Sequence, residues 1–163
     1  MLHKSFFITL VCATALVLSS CGNRGSAKGI FTFDGKPVSQ LLGSSVNEVI
    51  KLMGDPVESS ADEDGVIHRL DYDGIHLWFD DDIFVRAESF DLSLLAIDGL
   101  TLNKNRTELI EAFGKPAQEG RQEGYYGAEN AYVMLFNLSN GIILLEFEED
   151  LNVPPYMINV QEK

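Results

Sequence analysis

Basic residues are scarce in this chain. Lysine and arginine together number 12 against 25 aspartates and glutamates in 163 residues, a formal net charge of −13. Affinity for nucleic acid comes from cations that neutralise phosphates, so that class of partner is excluded. Adhesion to anionic lipid through a basic patch is disfavoured for the same reason. Cysteine and histidine are few, 2 and 3 respectively. Zinc held by the histidines would need two further nitrogen or sulfur donors, and nothing at metal-ligand spacing supplies them. The acidic run Asp80-Asp81-Asp82 lacks the alternating ligands and turn glycine of a calcium loop and reads as a solvated hairpin turn. No Gly-x-Ser-x-Gly elbow is present. The sequence therefore carries no enzyme signature, no cofactor motif and no metal site.

Long apolar runs are also missing. The longest, Phe6 to Leu18, holds roughly thirteen residues, short of the twenty or so that a membrane span needs. With Lys4 ahead of it, the run reads as the core of an export signal covering residues 1–20. It ends Leu18-Ser19-Ser20-Cys21, which resembles the lipobox of bacterial lipoproteins, where the cysteine is diacylated before cleavage on its N-terminal side. The resemblance implies a lipid bilayer as one partner, through acylated Cys21. It places the protein outside the cytoplasm, at the outer membrane if there is one and otherwise on the outer face of the cell membrane. Cys12 leaves with the signal, so the expected mature chain has neither thiol nor disulfide and depends on its apolar core. Losing Lys4 leaves 25 acidic against 11 basic residues, formally −14. Residues 21–29 form a short tether rich in glycine and small polar residues.

The remaining chain contains two similar stretches sixty residues apart. Leu42, Glu48, Ile50, Gly54 and Pro56 recur without a gap as Leu102, Glu108, Ile110, Gly114 and Pro116. Ser45 with Glu48, and Asn105 with Glu108, read as capping boxes at the start of two short helices. Val46, Val49, Ile50 and Met53 form one apolar stripe. Gly54 and Gly114 suit a left-handed residue at the helix end, and the following prolines prevent continuation. Each helix precedes strand-like segments: Ile67 to Tyr72, Ile75 to Phe79 and Ile83 to Ser89 in the first stretch, Ala131 to Phe136 and Ile142 to Phe147 in the second. Phe31 to Phe33, Leu94 to Ile97 and Tyr156 to Val160 are weaker strand candidates, and Glu58 to Asp64 reads as a solvated loop. The expected fold class is α+β: two tandem units, 30–97 and 98–163, each a short helix followed by an antiparallel β-meander, with the helices on one face of a shared sheet.

Gly43-Ser-Ser-x-x-Glu48-Val49, four residues, then Gly54-x-Pro56 and a meander, resembles the β-lactamase-inhibitor-protein-like superfamily and the small lipoprotein of the β-barrel assembly machinery. The resemblance implies a non-catalytic module that binds other proteins. The function expected is a membrane-anchored envelope lipoprotein whose partner is an envelope or secreted protein. The alternative is an inhibitor or immunity lipoprotein against a secreted enzyme or toxin.

Two places stand out as candidate partner-binding residues. Asp73-Gly74 is a favoured two-residue hairpin turn, which sets Arg69 opposite Trp78 and Asp71 opposite His76. Alternation then puts Arg69, Asp71, His76 and Trp78 together on the face away from Leu70, Tyr72, Ile75, Leu77 and Phe79. Such a face is either an interface anchor or a surface where Arg69 merely stacks on Trp78. Tyr125 and Tyr126, flanked by glycines, are either an adaptable binding loop or the opening of a strand with one ring in the core.

Overall fold

The computed structural model describes residues 29–124 and 130–162. Cys21, Tyr125 and Tyr126 lie outside the described residues. In chain order the elements are β1 (Phe31–Phe33), α1 (Val46–Met53), β2 (Glu58–Ala61), β3 (Ile67–Tyr72), β4 (Ile75–Asp80), β5 (Ile83–Ser89), β6 (Leu95–Ile97), β7 (Leu100–Thr101), α2 (Arg106–Phe113), β8 (Gln118–Gln122), β9 (Ala131–Asn137), β10 (Gly141–Phe147) and β11 (Met157–Glu162). All strand pairs are antiparallel. They form a small sheet in the order β1-β6-β7 and a large one in the order β2-β3-β4-β5-β11-β10-β9-β8.

This corrects the expected α+β class and its two helix-plus-meander units. The protein is mainly β, with sheets of three and eight strands and, among the described residues, two α-helices of eight residues each. Three physical reasons explain the difference. The outermost strands of the large sheet, Glu58–Ala61 and Gln118–Gln122, are polar on both faces and carry no alternation, so sequence pattern does not report them. The supposed loop after Pro56 is one of them. The short strands β1, β6 and β7 pair with one another in a separate sheet. Finally, β5 and β11 pair across the middle, so eight strands act as one sheet. The position 97/98, taken as a unit boundary, falls between the paired strands β6 and β7.

The core lies on one face of the large sheet. Leu70, Leu77, Phe84, Ala87, Ile158, Val160, Ile143, Leu145, Met134 and Phe136 point inward from six strands. Val46, Val49 and Met53 of α1, Leu109 of α2, and Phe31, Phe33, Leu95 and Ile97 of the small sheet close over them. Each of these side chains other than Ala87 contributes roughly 1.5–3 kcal/mol by leaving water. Both capping boxes form: Glu48 accepts from Ser45 N at 2.9 Å, and Glu108 accepts from Asn105 N at 2.9 Å. Arg106, at the start of α2, donates to Glu119 on β8 at 2.6 Å and to the Tyr132 hydroxyl on β9 at 3.0 Å. This clamp ties the second helix to the sheet where apolar contact is thin. The Tyr132 hydroxyl and then the Arg106 guanidinium hold the Glu119 carboxyl below its usual range.

Both helices stop at a glycine with positive φ, 89° at Gly54 and 81° at Gly114. Their ψ values, −173° and −170°, differ from the left-handed helical geometry expected from sequence. The chain leaves each helix extended, in a region that only glycine adopts readily. The hairpin turn between β4 and β5 has Asp81 and Asp82 at φ 47° and 67°, as a tight two-residue turn requires. The three carboxylates Asp80 to Asp82 are exposed.

Candidate functional site on the outer face of the large sheet

The face of the large sheet turned away from the core carries the expected cluster. The register pairs Arg69 with Trp78, Leu70 with Leu77, Asp71 with His76, and Tyr72 with Ile75. Because side chains alternate, Leu70 and Leu77 enter the core while Arg69, Asp71, His76 and Trp78 share the other face. Pairing of β4 with β5 adds Arg86 opposite Trp78 and Glu88 opposite His76. Pairing of β5 with β11 then adds Gln161 and Asn159.

Two cross-strand rows result. One runs Asp71, His76, Glu88, Asn159, Leu144, Leu135 over β3, β4, β5, β11, β10 and β9. The adjacent row runs Arg69, Trp78, Arg86, Gln161, Ile142, Asn137 over the same strands. The first half of this face is charged and aromatic, and the second half is largely apolar. A β-bulge sits beside Trp78: Phe79 pairs with Phe84 and Trp78 with Arg86, leaving Val85 without a partner residue on β4. Bulges of this kind bend a strand and re-aim its side chains.

Hydrogen bonds lock the cluster. Arg69 donates from Nη2 at 2.8 Å and from Nε at 3.1 Å to Asp71 Oδ2. His76 Nδ1 lies 2.6 Å from Asp71 Oδ1, and a carboxylate partner assigns the proton to that nitrogen. Asp71 is thus held by two partners and is only 8% exposed. The guanidinium carbons of Arg69 and Arg86 lie 5.3 Å and 4.8 Å from the centre of the Trp78 ring. The indole N–H donates to Glu88 Oε2 at 3.3 Å. Trp78 is therefore a half-exposed ring held by two cations and one carboxylate, each cation contact contributing about 0.5–1 kcal/mol.

On the second half of the same face, the Tyr156 hydroxyl donates to the buried Glu146 at 2.5 Å. Burial, reinforced by that carboxylate, raises the hydroxyl above the ordinary tyrosine range.

The Asp71–His76 pair is half of a charge-relay arrangement, but among the described residues no hydroxyl is hydrogen-bonded to His76. His68 and His76 are not brought together: His68 lies 3.4 Å from Asp62, at an exposed position on the opposite face parity. Among the described residues no three metal-capable side chains are grouped. Arg86, Glu88 and Asn159 were not found by sequence reasoning. Arg86 and Glu88 alternate with the core residue Ala87 on β5, a signal that could have placed them on this face. Asn159 likewise alternates with the core residues Ile158 and Val160 on β11, but its place beside Glu88 depends on a pairing about seventy residues apart in sequence.

No family model matches the chain, and no curated protein matches it. Solved structures do share its fold. An extracellular protein containing an SCP domain, from Bacillus anthracis, is similar at a TM-score of 0.55 and 11% identity, over 77% of this chain and 45% of that one. The chain thus spans less than half the length of that neighbour. A DUF4309 family protein (YjgB) from Bacillus subtilis is similar at a TM-score of 0.50 and 10% identity, over 74% of this chain and 79% of that one. Neither is described as a relative of the inhibitor-like superfamily that the helix motif resembles. At such identities the likeness is one of fold alone.

Proposed function

We propose that the protein is a non-catalytic binding module of the cell envelope, tethered to a membrane through Cys21, that captures a protein partner on the outer face around Trp78. The observation that carries this reading is the held Trp78 ring, with Arg69 and Arg86 beside it and the carboxylates behind each paired. Trp and Arg are the residues whose truncation costs most at protein interfaces, and a ring already fixed loses little freedom on binding. The apolar second half of the face, with Ile142, Leu144 and Leu135 half-buried, extends the contact surface beyond the charged part.

Location outside the cytoplasm rests on the export segment and on Leu18-Ser19-Ser20-Cys21. Among the described residues no helix is long and apolar enough to cross a membrane. One fold neighbour is described as extracellular, which agrees with this reading. Crosslinking in intact cells followed by purification of the chain tests the proposal. It should recover a specific envelope or secreted protein with the parent chain and much less of it with Trp78→Ala. Equal recovery from both would remove Trp78 from the interface.

A further inference from the structure

Among the described residues, the outer face holds one buried polar side chain with no hydrogen-bond partner. Asp71 is bound by Arg69 and His76, Glu88 receives the Trp78 indole N–H, and Glu146 receives the Tyr156 hydroxyl. Asn159 lies between Glu88 and Leu144 in the cross-strand row. It is 1% exposed, and neither its Oδ1 nor its Nδ2 has a hydrogen-bond partner. A buried carboxamide left unpaired is costly, because it gave up water for nothing.

We infer that Asn159 recognises the backbone of an extended peptide segment of the partner, its Oδ1 accepting from a peptide N–H and its Nδ2 donating to a peptide C=O. This rests on the reading of the outer face as a protein-binding surface. The chemistry of the carboxamide selects the ligand. A carboxylate would satisfy Nδ2 but would face Oδ1 and the nearby carboxyl groups of Glu88 and Glu146. An ammonium would satisfy Oδ1 and leave Nδ2 unpaired. A neutral secondary amide satisfies both atoms at once and adds no charge. The amides of a peptide recur along an extended chain, which matches a row of residues crossing several strands. Trp78 on one side and Leu144 and Ile142 on the other then take the flanking side chains. Leu144, opposite Asn159, and Gln161, two residues along, are its half-buried neighbours on the same face.

Two measurements on the mature chain test the inference. In the first, Asn159→Leu is melted alone. A group kept for a ligand is a liability in the free protein, so the variant should melt about 2–4 °C higher than the parent. A lower melting point would show that Asn159 is satisfied internally, by ordered water for example, and would overturn the inference. In the second, the Asn159 side-chain amide resonances are followed during titration with a blocked tetra-alanine peptide. They should shift saturably, and should not shift with the same peptide carrying N-methylated backbone amides. No shift, an equal shift with the methylated peptide, or a shift produced instead by N-acetylglucosamine as an amide-bearing sugar would each overturn it. Loss of partner capture in Trp78→Ala is a separate readout, so the peptide inference can fail while the binding face stands.

Discussion

Alanine at Gly54 isolates what the helix ends contribute. At φ 89° and ψ −173° the residue occupies a region essentially confined to glycine, with a penalty of order 1–3 kcal/mol for other residues. A Cβ there would meet nothing within 4 Å, so no packing clash adds to the backbone cost. Alanine also restricts the unfolded chain, which returns about 0.4–1 kcal/mol. The net loss is therefore about 1–2 kcal/mol, or roughly 3–7 °C in melting temperature for a domain of this size. Gly114, with φ 81° and equally open surroundings, should lose the same amount. The two losses should add, since the glycines end different helices. Equilibrium urea unfolding of both single variants and the double variant measures this. Asparagine supplies the control: it tolerates the left-handed helical region but not this extended one, so Gly54→Asn should be no better than alanine. Parent-like stability in the asparagine variant would refute the geometry, and alanine losses below about 0.3 kcal/mol would refute the argument from strain.

Gly141 should fail for the opposite reason: its added Cβ would lie 2.5 Å from the Gln161 carbonyl oxygen and 2.9 Å from Leu42. Gly141→Ala should therefore lower the melting temperature by disturbing the β10–β11 pairing, with a cost of about 1–3 kcal/mol. Tyr156 should ionise after Tyr72 and Tyr132 in an alkaline absorbance titration, and Tyr156→Phe should remove that late step. Its folded value lies above the unfolded one, so the stability it contributes is fully present below about pH 10 and is lost as pH rises through the folded value. Cys21→Ser should abolish lipid labelling and change processing; unchanged membrane attachment would refute the anchor.

The hairpin of β3 and β4 was legible because its turn fixes the register locally and each residue's face follows by alternation. The capping boxes at Ser45 and Asn105 were legible for the same reason, since all their partners lie within one turn. The fold class was not. Strands β2 and β8 have no buried face to leave a pattern, and β1, β6 and β7 are too short to show periodicity. Asp34-Gly35 and Asp98-Gly99, whose four residues all have positive φ, are turn signals that could have revealed part of the small sheet. The join of β5 to β11 is set by packing across the whole chain, and with it went the second half of the outer face. Four residues of the cluster could therefore be named from one hairpin, and alternation about Ala87 could have added Arg86 and Glu88, while the place of Asn159 beside Glu88 required the assembled sheet.

The central claim is that Trp78 anchors a protein partner. Removing it costs Glu88 the indole donor, so Trp78→Ala should melt a few degrees lower yet remain folded at the temperature of the assay. Titration of the crosslinked partner, once purified, against parent and variant measures the claim directly. The variant should bind at least tenfold more weakly, a loss of about 1.4 kcal/mol or more. Equal dissociation constants for two folded proteins would contradict it.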